Sequence, residues 1–253
     1  MYAPERHQAI LEVARSRGRV EVAGLARDLA VTPETVRRDL TALERRGVLR
    51  RVHGGAIPVE RLGIELGVHD RETHAANEKE RIARAALEEI PDGGSIILDA
   101  GTTTVRLAEL LPLDRELTVV THSIPVASAL VDRANITLHL LGGMIRVRTF
   151  AAVGEWTKAQ IADVFADVAF MGTNGVSVER GLTTPDLAES TVKRALIGAA
   201  RRTVVLADHT KFGREEFAKV APLSDVDTII TDSGIDHEFA GDVENAGPRV
   251  VIV

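Results

Sequence analysis

Val31-Thr32-Pro33-Glu34-Thr35-Val36-Arg37-Arg38-Asp39-Leu40 reads as the beginning of a helix built to lie against DNA. Thr32 suits an N-cap, and Pro33 suits the first helical position, where a missing N–H has no intrahelical partner to lose. Val36, Leu40 and Leu43 recur at the i, i+4, i+7 spacing of a buried stripe, which turns Thr35, Arg37 and Arg38 outward. The N-terminal end of a recognition helix is the end that meets base edges and phosphates. Two adjacent arginines would equally suit an ordinary solvated helix face, so the flanking sequence has to decide.

Upstream, Glu5 to Ser16 has helical spacing, with Ile10, Val13 and Ala14 on one face and Gly18 as its C-terminal cap. A second helix, Val22 to Leu29, carries Val22, Leu25, Ala26 and Leu29 at the same period. Only Ala30-Val31 separates it from the Thr32 cap, so the chain turns sharply, as in a helix-turn-helix. Downstream, Gly47 closes the recognition helix, and Val48 to Gly55 reads as a short β-hairpin wing. Its Arg50, Arg51 and His53 are placed to reach the phosphate backbone or a minor groove. The residues expected to face duplex DNA are therefore Thr32, Thr35, Arg37, Arg38, Arg50, Arg51 and His53. Charge agrees: residues 1–57 hold 11 Arg against 7 Asp and Glu, a net of +4, whereas the whole chain is −6. A basic head on an acidic body suits a protein that touches DNA with one end only.

The chain has 253 residues, so a head of residues 1–57 leaves ample length for a second unit with a large core. There is no cysteine, which excludes disulfides and thiolate metal sites. The eight histidines show no HExxH or similar spacing, and neither a metal nor another cofactor is expected. No apolar run approaches the roughly 18 residues that span a bilayer, and Met1 to His7 lacks the apolar core of a signal peptide. A cytoplasmic location without membrane contact is the expectation.

Residues 58–74 lose periodicity and read as a linker with some extended structure. From about residue 75, helix and strand alternate. Helices are expected at Asn77–Glu89, Thr103–Leu111, Ile124–Val131, Trp156–Val164 and Leu187–Ala200. Strands are expected at Ser95–Asp99, Leu117–Thr121, Ile136–Leu141, Val168–Met171, Thr203–Ala207, Thr228–Thr231 and Val250–Val253. Apolar strands alternating with amphipathic helices indicate an open, mainly parallel α/β sheet over residues 75–253, covered on both faces. Ligands in such sheets bind outside the carboxyl ends of the strands.

Asp99-Ala100-Gly101-Thr102-Thr103-Thr104 lies at such an end. Gly101 is expected to let the backbone turn tightly, while threonine hydroxyls and the first amides of the next helix would hold a phosphate. A plain helix cap uses the same residues. It is not a nucleotide P-loop, because GxxxxGK[ST] is absent. Gly172-Thr173-Asn174-Gly175 follows another strand. Gly181 to Pro185 reads as a loop, after which Glu189 and Lys193 fall at i, i+4, a spacing that an exposed surface pair would also show. Asp208 to Gly213 follows a third strand, and there Lys211 is either a phosphate-pairing charge or a solvated loop lysine.

Residues 5–57 resemble the winged helix-turn-helix of the DeoR family of bacterial sugar-operon regulators. The matching pieces are Arg6-His7-Gln8-Ala9-Ile10-Leu11, Thr35-Val36-Arg37-Arg38-Asp39-Leu40 and His53-Gly54-Gly55-Ala56. Two positions depart from the family pattern: Glu21, where a Ser or Thr cap is usual, and Ala30, where the turn often has Gly. Residues 77–235 resemble the same family's effector-sensing domain through LDAGTTT, VVTHS, FMGTNG, GLTT with Glu189 and Lys193, and VLADHTKFG. That resemblance implies a fold similar to ribose-5-phosphate isomerase and glucosamine-6-phosphate deaminase, and a sugar-phosphate ligand. It places the phosphate on Gly101, Thr102, Thr103 and Thr104, and the sugar among Asp99, Thr173, Asn174, Glu189, Lys193 and Lys211.

Proton transfer between sugar carbons needs a carboxylate base, which Thr173 and Asn174 cannot provide. A regulator rather than an enzyme is therefore expected, most simply a repressor released by a phosphorylated sugar, with a ketose or hexose phosphate as the first guess. The alternatives are a sugar-phosphate isomerase or deaminase with a DNA-binding appendage, and a winged-helix protein whose large domain serves only assembly. Because one short head makes few contacts, a homo-oligomer, dimer or tetramer, is expected.

Overall fold

A computed structural model of the chain describes residues 2–58, 65 and 67–253. It divides into two compact units, Met1–Asp70 and Arg71–Val253. Of the stretch expected as a linker, residues 59–64 and 66 lie outside the described residues.

In the small unit, α1 (Ala3–Arg17) ends at Gly18, whose φ of 74° is the left-handed cap that glycine adopts without strain. A two-residue strand that periodicity does not reveal, β1 (Val20–Glu21), leads into α2 (Val22–Asp28) and α3 (Pro33–Arg45). Thr32 caps α3 as expected, its Oγ1 accepting from the Thr35 amide at 3.2 Å. β2 (Leu49–Val52) and β3 (Gly55–Pro58) form the wing, and β1 pairs with β3 to complete an antiparallel sheet of order β1–β3–β2. At Gly55 a Cβ would lie 1.9 Å from the Val20 carbonyl oxygen, so this strand contact requires glycine. Ile10, Leu25, Val36, Leu40, Leu43 and Leu49 are buried together.

Asp39 is buried on the inner side of α3 and accepts from Arg6 Nε at 2.5 Å and Arg6 Nη2 at 3.0 Å, with His7 Nε2 3.0 Å away. This ion cluster fastens α1 to α3. Ala30, in the turn between α2 and α3, has φ of 52°, a left-handed conformation that disfavours a Cβ. Its side chain is exposed, so little packing offsets the strain. Ala30→Gly is expected to stabilise the small unit by about 0.5–1 kcal/mol in urea unfolding. A variant no more stable than wild type would contradict that account.

The division between the units falls within a helix that its sequence does not announce, α4 (Val68–Thr73). Then follow α5 (Ala76–Ala86), β4 (Gly94–Leu98), α6 (Thr102–Leu110), β5 (Leu117–Thr121), α7 (Ile124–Leu130) and β6 (Ile136–Leu140). A hairpin of β7 (Met144–Arg146) and β8 (Ala151–Val153) precedes α8 (Glu155–Ile161), β9 (Ala166–Gly172), β10 (Gly175–Ser177) and β11 (Gly181–Thr184). The chain continues through α9 (Leu187–Gly198), β12 (Ala200–Leu206), β13 (Ala218–Ala221), β14 (Thr228–Thr231), α10 (His237–Asn245) and β15 (Arg249–Ile252).

Seven strands form one parallel sheet in the order β15–β14–β12–β9–β4–β5–β6. Alternate residues of each strand enter opposite layers, as the strand period of two requires. Ile97, Met171, Val205 and Ile229 pack with Val192, Leu196 and Val243 of α9 and α10. Ile96, Leu98, Phe170 and Val204 pack with Ile82, Leu107 and Val126 of α5, α6 and α7. The chain builds outward from β4 to β6, then returns to the other side of β4 with β9. The topological switch point therefore lies between β4 and β9, where open α/β sheets leave a crevice at their strand ends.

Several short elements correct the expectations. Gly181 to Pro185, read as a loop, begins with β11, which pairs with β10 in a hairpin that β13 extends into a three-stranded antiparallel sheet. The β7–β8 hairpin is likewise not evident from periodicity, because strands of three residues display less than two periods of alternation, and α10 is not among the expected helices. The helix expected to reach Ala200 stops at Gly198, and Ala200 already belongs to β12. Among the described residues, no helix is long and apolar enough to cross a membrane, and no group of three or more His, Asp or Glu is arranged to hold a metal ion.

Candidate functional site

The candidate nucleic-acid surface follows from the α3 stripe. Burial of Val36, Asp39, Leu40 and Leu43 leaves Arg37 and Arg38 exposed. Arg38, Thr41 and Arg45 stand at i, i+3, i+7 and share one face. Arg51 reaches them from β2, donating from Nη1 to Thr41 Oγ1 at 3.3 Å, while its amide donates to Glu44 Oε1 at 3.0 Å. Glu34, Arg37, Arg38, Thr41, Arg45 and Arg51 thus line one groove, four cations against one anion. Thr32 and Thr35 stand at its helical start, their hydroxyls 2.9 Å apart. Arg45 is absent from the sequence reading, although its spacing from Arg38 signals the shared face. Arg50 and His53, expected beside Arg51, are exposed but do not line this groove.

The second candidate site is the cleft at the switch point of the large unit. Gly101, Thr102, Thr103, Thr104, Thr173, Asn174, Glu189, Lys193 and Lys211 all line it. Asp99 does not: it is fully buried behind the cleft. Its Oδ2 accepts from the Gly172 amide at 2.8 Å and from the Lys193 ammonium, and its Oδ1 lies 2.9 Å from His122 Nε2. His122 Nδ1 in turn donates to the Ala152 carbonyl at 2.8 Å. One carboxylate therefore joins the ends of β4, β5 and β9 to α9. Burial pushes the Asp99 carboxyl upward, but the Lys193 charge and the His122 contact outweigh it and hold the group at about 2.

Glu189 and Lys193 are not a surface pair. Both are buried, on the same stripe as Val192 and Leu196, and each has its own partner. Lys193 turns to Asp99 and donates to the Gly172 carbonyl at 3.0 Å. Glu189 Oε2 accepts from Thr184 Oγ1 at 3.3 Å, and its Oε1 lies 3.5 Å from Arg146 Nη1. A charged residue on an otherwise apolar helical stripe is the sequence signal for such burial. The same signal marks Lys79, beside Ile82, Ala83 and Ala86 on α5. Lys79 is buried, lines the cleft, and donates to the carbonyls of Arg71 at 2.5 Å and His74 at 2.6 Å.

The threonine loop is less uniform than its sequence implies. Gly101 has φ of −177°, an extended conformation open to any residue, so the turn does not demand glycine. The Thr104 hydroxyl is buried and donates to the carbonyls of Asp99 at 2.6 Å and Gly101 at 2.9 Å, a capping role. Thr102 and Thr103, the first residues of α6, line the cleft. Thr173 Oγ1 donates to the Gly175 and Thr183 carbonyls, and Asn174 Oδ1 accepts from Thr184 Oγ1 at 3.1 Å. Neither offers a base. Lys211 stands 3.9 Å from Asp208. Burial pushes Asp208 up, but Lys211, the Thr210 hydroxyl, Lys79 and His74 together hold it below its ordinary value. The cleft thus combines clustered cations and helix-start amides with a Glu189 group that can accept from ligand hydroxyls.

Residues 6–61 match the family described as DeoR-like helix-turn-helix domain, and residues 74–233 match that described as DeoR C terminal sensor domain. Over 251 residues the chain is 37% identical to "HTH-type transcriptional regulator GlpR" of Haloferax volcanii, covering 99% of this chain and 98% of that protein. It is 34% identical to the "Glycerol-3-phosphate regulon repressor" of Escherichia coli K12 over 92% of both. Among solved structures, ribose 5-phosphate isomerase A from Methanocaldococcus jannaschii matches 55% of each chain at 19% identity, with a TM-score of 0.41.

Proposed function

The chain belongs to the DeoR family of DNA-binding transcriptional regulators, and from that premise we propose that it is a repressor whose grip on its operator is released by a phosphorylated sugar or polyol in the cleft of the large unit. The observation that carries the effector half is the cleft itself. Lys79 and Lys211 line it together with the open amides and hydroxyls at the start of α6, a combination suited to a phosphate. On the DNA side, Arg37, Arg38, Arg45 and Arg51 supply the charge, with Thr32 and Thr35 at the helix start.

The reading as regulator rather than enzyme has a chemical ground as well as a family one. Isomerisation needs an available base. Thr173 and Asn174, at the end of β9, cannot act as one. The protein works in the cytoplasm as a homodimer or higher even oligomer, because two heads on a paired site multiply the affinity of one.

Operator titration at fixed salt, with light scattering on the same samples, tests the proposal. Arg38→Ala is expected to weaken operator binding by about 1–3 kcal/mol without loss of folding, since its side chain is exposed. Glycerol 3-phosphate, fructose 1-phosphate and fructose 6-phosphate form the effector panel. One of them is expected to lower operator affinity by about 1–3 kcal/mol without being consumed. Unchanged operator affinity in Arg38→Ala, a strictly monomeric protein at saturating DNA, or turnover of the sugar phosphate at enzyme-like rates would each overturn the corresponding part.

A further inference from the structure

We infer that the β7–β8 hairpin forms part of the effector site, with Thr149 as a direct contact to a hydroxyl of a monophosphorylated polyol or sugar and Arg146 as the residue that positions Glu189 to receive another. This rests on reading the cleft as an effector site and adds the residues that select the ligand's hydroxyl-bearing part.

Thr149 lines the cleft, is 5% exposed, and its Oγ1 has no hydrogen-bond partner among the described residues. A buried hydroxyl without a partner is destabilising, and a ligand oxygen in the cleft would relieve it. Its position is fixed by a tight turn. The amides of Thr149 and Phe150 both donate to the Arg146 carbonyl, at 3.1 and 2.8 Å. Phe150 holds a φ of 51°, in the left-handed region that bulky residues avoid. Arg146 and Thr149 therefore belong to one rigid turn.

From that turn Arg146 crosses to the start of α9. Its Nε lies 3.1 Å from Asp186 Oδ2, and its Nη1 lies 3.5 Å from Glu189 Oε1. Asp186 caps α9 by accepting from the Glu189 amide at 2.9 Å. The guanidinium fixes the Glu189 carboxylate while leaving it lone pairs for a ligand hydroxyl. A second phosphate in this part of the cleft would meet that carboxylate, so a monophosphate suits the site better than a bisphosphate.

Calorimetric titration of the full chain tests the inference, with inorganic phosphate, glycerol 3-phosphate, fructose 1-phosphate and fructose 1,6-bisphosphate as probes. Wild type is expected to bind one of the monophosphates more tightly than either the bisphosphate or inorganic phosphate. Thr149→Val keeps the shape and removes the hydroxyl. It is expected to weaken that monophosphate roughly tenfold, the worth of one hydrogen bond, and to leave inorganic phosphate unchanged. Its ligand-free melting temperature is expected to equal or exceed that of wild type, because the lost hydroxyl had no partner. Arg146→Ala is expected to show the same split between monophosphate and inorganic phosphate. Wild-type monophosphate affinity in Thr149→Val, or a lowered ligand-free melting temperature, overturns the inference and leaves the effector reading standing. If wild type binds none of the sugar or polyol phosphates, both fall.

Discussion

Asp99→Ala is expected to lower the melting temperature of the large unit by about 10 °C. The substitution leaves the Lys193 ammonium, itself 4% exposed, beside the Gly172 carbonyl with its anion gone. Breaking a buried pair by removing one partner costs about 3–5 kcal/mol, and each kcal/mol shifts a unit of this size by roughly 2–4 °C. The loss is not simply that of one hydrogen bond, because Asp99 also receives the Gly172 amide and faces His122. Replacing both charges, as in Asp99→Ala with Lys193→Met, is expected to recover much of the stability, since the uncompensated charge is then removed. Acid titration gives an independent reading. The Asp99 carboxyl sits at about 2 in the folded chain against 3.8 ordinarily, so the group favours the folded state above pH 4 by roughly 2 kcal/mol. That contribution is lost as the pH falls from about 4 to about 2, and Asp99→Asn should lack this part of the acid dependence. A melting temperature for Asp99→Ala within 1 °C of wild type would exclude the buried ion pair as a structural tie.

The second large effect belongs to the small unit. Asp39→Ala is expected to weaken specific operator binding although its carboxylate faces inward and touches no exposed part of α3. The carboxylate is 5% exposed and compensates Arg6, whose side chain is 11% exposed, with His7 alongside. Its removal strands a nearly buried guanidinium and unfastens α1 from α3, at a cost of about 3 kcal/mol. A unit this small has only roughly 3–5 kcal/mol of stability to lose. With about 0–2 kcal/mol left, the recognition helix would be unfolded for up to about half of the time. Hydrogen exchange distinguishes this from a lost DNA contact. Asp39→Ala should lose amide protection in both α1 and α3, whereas Arg38→Ala should keep it. Wild-type protection together with wild-type operator affinity in Asp39→Ala would falsify the clasp.

The contrast between the two units explains what the chain reveals before it folds. The small unit is dominated by local signals. The Thr32 cap, the Val36–Leu40–Leu43 stripe and the Gly18 terminus each act within a few residues, so the helices and their outward arginines are legible. The Asp39–Arg6 clasp is not, because an aspartate 33 residues from its partner looks like any other polar residue on a helix. In the large unit the parallel strands are legible for a different reason. A sheet covered on both faces favours near-continuous apolar runs, and Ser95 to Leu98, Leu117 to Thr121 and Thr228 to Thr231 supply them, with only Ser and Thr between.

The sequence by itself determined that a basic winged helix-turn-helix precedes a parallel α/β sheet, because caps, helical stripes and apolar runs are properties of neighbouring residues. It also placed most of the cleft's residues at strand ends, where the architecture puts ligands. Only the tertiary structure decided how those residues are used. It turned Glu189 and Lys193 away from each other, withdrew Asp99 and the Thr104 hydroxyl from the cleft, brought Lys79 and Thr149 to it, and set Arg146 beside Glu189. Asp99 and Lys193 are 94 residues apart, and Arg146 reaches Glu189 from a three-residue strand with no periodic signature. Such partnerships follow from which strand ends the switch between β4 and β9 sets side by side, and from the requirement that every charge buried there find its counter-charge.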